Sequence, residues 1–230
     1  MTSPWPICFS LLASPLAAAT VSGTFEIAAQ RPLKSHSGIV VWMEPLDAKA
    51  PVPSPASATI VQRGKRFSPH ISIVTVGSTV DLPNRDPIFH NAFSNFAGQP
   101  FDTGLYPPGA TQKIRFKREG VVRVFCNIHS SMSAIIVVLA TSYYASTNDN
   151  GSFVIRNVNP GEYILKVFHE RATEATLRSL ERRITVQSDA SLPSAKVSEA
   201  GYTAEPHKNK YGREYGPEPP DRVGYGSPKP

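Results

Sequence analysis

Three side chains follow one another at intervals of three in the stretch R-V-F-C-N-I-H-S-S-M-S: Cys126, His129 and Met132. A thiolate, an imidazole and a thioether on one tight turn are soft and borderline ligands, and sulfur ligands of this kind select copper over the hard cations. Upstream, F-H-N at Phe89, His90 and Asn91 offers one more imidazole from a different part of the chain. His90, Cys126 and His129 are then expected to form a trigonal plane, with Met132 as the long, weak axial ligand. That donor set holds a single type 1, or blue, copper ion whose potential the axial bond helps to set.

The cysteine count supports this reading. The chain has two cysteines, and Cys8 lies inside the apolar, uncharged run I-C-F-S-L-L-A-S-P-L-A-A-A, which ends in small residues as a secretory signal does. Residues 1–19 are therefore expected to leave as a signal peptide. As an anchor the run is too short, since spanning takes about 20 apolar residues, so no stable membrane insertion is expected once it is removed. Cys126 is then the only thiol of the mature chain. An unpaired thiol in an oxidising compartment calls for a reason, and metal ligation supplies one because a coordinated thiolate is held deprotonated and shielded. The alternative is a buried, inert cysteine acting as a small hydrophobe.

Several chemistries are excluded. A c-type haem, a binuclear copper site and a structural disulfide each need a second cysteine. No H-x-H pairs, no H-E-x-x-H and no C-x-x-C are present, which removes a trinuclear copper cluster, the usual zinc hydrolases and structural zinc. Ser, His and Asp show no nucleophile-elbow context, so the chain is not expected to be an enzyme. The other histidines, His36, His70, His169 and His207, read as solvated or hydrogen-bonded side chains.

The elements that must position the ligands are strands. With 22 prolines, 15 glycines and no long run at helical period, an all-β class is expected. Strands are expected near Thr59 to Gln62, Ile71 to Val76, Ser78 to Leu82, Lys113 to Phe116 and Gly120 to Phe125. The turn Asn84 to Pro87 delivers His90, the strand ending at Phe125 delivers Cys126, and the apolar run S-A-I-I-V-V-L-A after Met132 is buried. Thr173 to Arg183 reads as a short helix or a loop, and R-I-T-V-Q as the last strand.

The formal charge is +6, and between Val61 and Ala140 nine Lys or Arg stand against four Asp or Glu. A solvated surface is the plain reading. The sharper one is steering toward an acidic redox partner. Nucleic acid is not expected, since no recognition motif accompanies the charge. From Ser198 onward Gly, Pro, Tyr and charge crowd out aliphatic residues, a composition that cannot bury a core.

The segment from about Phe67 to Ala140 resembles a cupredoxin, of the amicyanin- and plastocyanin-like type with a short C-x-x-H-x-x-M loop. The likeness includes F-S-P-H-I-S-I-V-T-V-G-S-T-V-D-L-P-N-R-D-P-I-F-H-N, similar to the opening of that family, while Ser130 and Ser131 stand where a proline is often found. It implies a Greek-key β-sandwich, copper-based electron transfer, and a role for Asn91 in tying the two ligand loops together and tuning the sulfur. It also implies that His129 faces the surface as the route for the electron, with Phe89, Phe93 and Met132 as a small docking patch. A second resemblance covers T-N-D-N-G-S-F-V-I-R-N-V-N-P-G-E-Y-I-L-K-V-F-H-E, which looks like the second half of a carboxypeptidase regulatory-like domain, a small transthyretin-type β-sandwich. Its first half is expected in 20–56, with the copper domain at 57–140 inserted before the remainder at 141–190 and a disordered tail at 191–230; two tandem domains are the plainer arrangement. The expected function is a periplasmic or secreted carrier of single electrons. A periplasmic copper carrier or sensor without redox role is the alternative, and an adhesive module with a vestigial loop is the third reading.

Overall fold

A computed structural model describes residues 18–217, apart from 30, 32, 48–51, 96, 97 and 205. The expected signal peptide therefore lies almost wholly outside the described residues, and the described chain opens with a strand that already starts at Ala19.

Among the described residues, eighteen strands and one short helix follow in order. The early strands are β1 (Ala19–Ala28) and β2 (Val40–Pro45). Next come β3 (Ser57–Thr59), β4 (Val61–Gln62), β5 (Phe67–Ser68), β6 (Ile71–Thr75) and β7 (Thr79–Pro83). After the segment carrying His90 are β8 (Phe93–Ser94), β9 (Phe101–Asp102), β10 (Thr111–Arg115), β11 (Gly120–Phe125) and β12 (Ser133–Leu139). The rest are β13 (Tyr144–Ser146), β14 (Ser152–Val158), β15 (Gly161–Phe168), α1 (Glu174–Ser179), β16 (Arg182–Val186), β17 (Ala190–Ser191) and β18 (Ala195–Ser198). The fold is all-β, and α1 is a single capped turn whose N-cap Thr173 side chain accepts from the Thr176 amide.

The strands form two sandwiches. In one, the sheet β14-β1-β17, with β18 also on β1, faces the sheet β13-β2-β15-β16 across a core that includes Phe25, Met43, Phe153 and Leu165. Its strands come from both ends of the described chain, so everything from β3 to β12 lies between two of its members. Gly151 shows how tightly it closes: its φ is +77°, and a Cβ there would lie 2.0 Å from the Phe25 carbonyl oxygen, a place only glycine can occupy.

In the other sandwich, β10-β7-β3 faces β6-β12-β11-β8-β9, and Val80, Leu82, Phe116, Val122, Val124 and Ile136 fill the space between. Successive strand residues point to opposite faces, which explains the unbroken apolar run of β12. Ala134, Ile136 and Val138 face this core, while Ile135, Val137 and Leu139 face Val40 of β2 and Phe168 of β15. β12 is thus buried on both sides, and the sandwiches share it as a common wall.

The tail departs from expectation. Composition predicts disorder from residue 191, with R-I-T-V-Q as the last strand, yet β17 and β18 follow and pair in parallel with β1. Residues 206–217 then run back to the second sandwich and hydrogen-bond to it. An aliphatic-poor segment need not bury a core of its own when its polar groups satisfy loop carbonyls elsewhere.

Candidate metal centre

Register brings the two loop regions together. Phe93 of β8 pairs with Phe125 of β11, which sets His90, three residues before one, beside Cys126, one residue after the other. The loop from Cys126 to Met132 joins β11 to β12, whose pairing runs up to Phe125 opposite Ser133. Inside it, the Cys126 amide donates to the Met132 carbonyl at 3.2 Å and the Met132 amide to the His129 carbonyl at 3.1 Å. The spacing of three is what such a turn needs to aim all three side chains inward.

Sγ of Cys126 lies 3.9 Å from Nδ1 of His90 and 3.7 Å from Nδ1 of His129. These ligand atoms all fall within 4.8 Å of one another. Metal–nitrogen and metal–sulfur bonds of about 2.0 and 2.3 Å at trigonal angles separate N from S by about 3.8 Å, so the donor set fits one transition-metal ion. Met132 is also buried at this end, fully enclosed with Cys126 and Ala134 in the same core.

His90 is fixed from behind. Its Nε2 lies 2.8 Å from Oδ2 of Asp86, leaving Nδ1 to face the sulfur. Asp86 in turn accepts from the amides of Gly64 and Lys65 at 2.5 and 2.9 Å, and its own amide donates to Oδ1 of the buried Asn84. Burial pushes the Asp86 carboxyl up, but the hydrogen bonds from Lys65, His90 and Gly64 outweigh it and hold the pKa below its usual value. A carboxylate on the outer nitrogen of a ligating histidine fixes tautomer and orientation. Sequence reasoning missed Asp86, because an acid in N-R-D-P reads as a turn former; its position four residues before His90 was the available signal.

Asn91 bridges the loops: Oδ1 accepts from the Asn127 amide at 2.5 Å, and Nδ2 donates to Oδ1 of Asp102 at 3.3 Å. For Cys126 burial pushes the thiol up, yet hydrogen bonds from His129, His90 and the amides of Asn91 and Ile128 bring its pKa down to about 5. For His90 burial pushes downward and is outweighed by Cys126 and Asp86, which leave it raised. Each group thus favours the other's charged form, as a thiolate beside imidazoles does.

Two expectations are corrected. His129 is only 3% exposed and does not form a surface port. Phe93 and Met132, at 1% and 0%, do not form a docking patch: Met132 lies in the core with Cys126, while Phe93 pairs with Phe125 and packs its ring against it on the outer face of the sheet. The remaining histidines are all hydrogen-bonded: His36 to the Ile27 amide, His70 to Glu170, His169 to Glu199 and His207 to the Ser130 carbonyl. His207 is the unforeseen one, since it places the tail on the metal loop.

No protein-family model and no curated protein matches the chain. Solved structures do. The copper-containing nitrite reductase NirK from Thermus scotoductus SA-01 is similar at 27% identity over 42% of this chain and 25% of that one, with a TM-score of 0.35. The purple cupredoxin from Nitrosopumilus maritimus is similar at 24% identity over 36% of this chain and 99% of that one, TM-score 0.33. A point mutant of amicyanin in its oxidised state is similar at 19% identity over 40% of this chain and 99% of that one, TM-score 0.34. The chain thus spans about a quarter of the nitrite reductase and nearly the full length of the two smaller proteins.

Proposed function

We propose that the chain is a type 1 copper protein that carries single electrons between redox partners in the periplasm or outside the cell. The observation that carries this reading is the convergence of His90 and His129, through Nδ1, on the Cys126 sulfur at 3.9 and 3.7 Å inside a closed, apolar end of the sandwich. His90, Cys126 and His129 would hold the ion, with the buried Met132 as a further, weaker ligand. Copper, when bound, supplies a couple that gains or loses one electron. The protein's part is to keep the ligands still: Asp86 fixes the His90 ring, Asn91 locks one loop to the other, and the amides of Asn91 and Ile128 direct partial positive charge at the sulfur.

The donor count favours a carrier over an enzyme. Catalytic metal sites keep an open position for substrate, whereas His90, Cys126, His129 and Met132 would together fill four positions. The excess of basic residues between Val61 and Ala140 suits an acidic partner. In this reading residues 57–140 are the copper domain, inserted into a regulatory-like sandwich made by 20–56 and 141–190, and residues 1–19 direct export. Among the described residues no helix is long and apolar enough to cross a membrane.

The test is the absorption spectrum of the purified, copper-loaded chain. An intense band in the red, lost in Cys126→Ser, supports the assignment. Copper uptake without colour would move it to the carrier or sensor reading, and no uptake would end both.

A further inference from the structure

The tail does more than cross the second sandwich. Asn209 builds a compact turn within it, its Oδ1 accepting from the Tyr211 and Arg213 amides while its own amide donates to the Arg213 carbonyl. Gly212, at φ +72°, closes that turn. The turn fixes His207 and Tyr215 side by side, with Tyr215 Oη 3.1 Å from His207 Nδ1.

Both residues then reach the ligand loop itself. His207 stacks on Phe125 with centroids 4.0 Å apart and donates from Nε2 to the Ser130 carbonyl at 2.7 Å. Tyr215 donates to the Cys126 carbonyl at 2.7 Å. Between them the Lys210 amide donates to Oδ1 of Asn127 at 3.0 Å, and Lys210 Nζ pairs with Asp102 at 2.6 Å. Asn127 and Asp102 are the partners of Asn91, so the tail fastens to the groups that already join the two ligand loops.

We propose that the segment from His207 to Tyr215 is a detachable cover on the metal loop, and that entry to Cys126 and His129 requires its displacement. The contacts are few and peripheral: hydrogen bonds, one ring stack and one ion pair, with no buried aliphatic anchor. A segment held this way opens locally at a small fraction of the free energy of global unfolding. Its contacts fall on both sides of His129 in the chain, at the carbonyls of Cys126 and Ser130. An ion entering the site, or a partner seeking the histidine edge, meets the tail first. Gating of an ion rests on the copper reading; the shielding of Cys126 does not.

The experiment uses the metal-free chain lacking residues 1–19, in which Cys126 is the only thiol, and a small aromatic disulfide. The Cys126 thiolate attacks one sulfur of the reagent, a mixed disulfide forms, the reagent's S–S bond breaks, and the departing coloured thiolate reports the rate. The parent should react far more slowly than the same chain in denaturant. His207→Ala combined with Tyr215→Phe removes both hydrogen bonds to the ligand loop and the stack, and should speed the reaction roughly tenfold or more, given about 1 kcal/mol per hydrogen bond. Lys210→Ala touches no group of the ligand loop's backbone and should speed it by a smaller factor, which decides the matter if the double variant fails to fold. A parent that reacts like the denatured chain, or folded variants that react at the parent's rate, would overturn the proposal. In copper-loaded protein, removal of the ion by a chelator should accelerate in the same order. A chain that takes up no copper defeats the proposed function, while the thiol rates still judge the cover.

Discussion

At the scale of single residues, Asp86 is the most informative side chain outside the candidate ligand set. Its carboxylate sits on His90 Nε2 at 2.8 Å and is held by two backbone amides, so it would add negative charge and basicity to one ligand of a bound ion from behind. Negative charge near the centre favours the more highly charged oxidation state. Asp86→Asn should therefore raise the reduction potential, by roughly 30–60 mV if the change is worth about 1 kcal/mol in a one-electron couple. It should also weaken metal binding by about tenfold, the usual consequence of losing such a partner. Voltammetry and a competition titration read the two effects, and an unchanged potential would show that Asp86 merely shapes the turn. The residues that converge are legible in the sequence because each is a rare type at a meaningful spacing: one cysteine, a histidine three residues on, and an isolated F-H-N. Asp86 is legible only through its spacing of four from His90, since an acid in a turn is ordinary, whereas His207 and Tyr215 are not legible, because a His or Tyr in a polar tail is ordinary and only long-range contact gives them work.

At the scale of elements, β12 carries the architecture. Its run of apolar residues is legible as a buried strand, but not the reason for burial on both faces, which is a second sandwich packed against the first. Ile136 belongs to the core behind the metal loop and Ile135 to the shared wall with Val40 and Phe168. Truncating either to alanine leaves a cavity and should cost about 2–4 kcal/mol, a melting-point drop of roughly 5–15 °C for a chain of this size. The two variants should differ in kind. Ile136→Ala should perturb the ligand loop's surroundings and the copper spectrum, while Ile135→Ala should leave the spectrum alone and loosen the contact between sandwiches. Unfolding followed by circular dichroism, beside the spectrum of the loaded variants, separates these. A loss below about 0.5 kcal/mol in Ile135→Ala, the level of an ordinary surface change, would show that the wall is not shared. The strands β17 and β18 are illegible for a related reason: they are two and four residues long, and their parallel pairing with β1 is a property of the assembled sheet.

At the scale of the molecule, the seam between sandwiches carries a titratable latch. His70, just before β6, places Nε2 2.7 Å from Glu170, which follows β15, and its Nδ1 lies 3.1 Å from the Ser133 carbonyl. The hydrogen bond to Glu170 is the main cause that raises His70 above 6.5, against burial; the same bond is the main cause that lowers Glu170 below 4.5. The raised histidine contributes stability that is complete below 6.5 and fades as pH climbs through its folded value. The lowered carboxyl contributes stability that is complete above 4.5 and fades as pH falls through its folded value. Both contributions are whole only between those two ordinary values. With side chains 46% and 32% exposed, solvent screening limits the pair to about 0.5 kcal/mol. Comparing urea unfolding of the parent with His70→Gln, the stability gap should be widest near pH 5.5 and nearly closed by about pH 8.5, well above the ordinary histidine range. The copper-free chain suffices, because the latch and the ligand set are separate groups. A gap that stays constant across that range would mean that His70 holds the seam by packing and by its bond to the Ser133 carbonyl, with no contribution from charge.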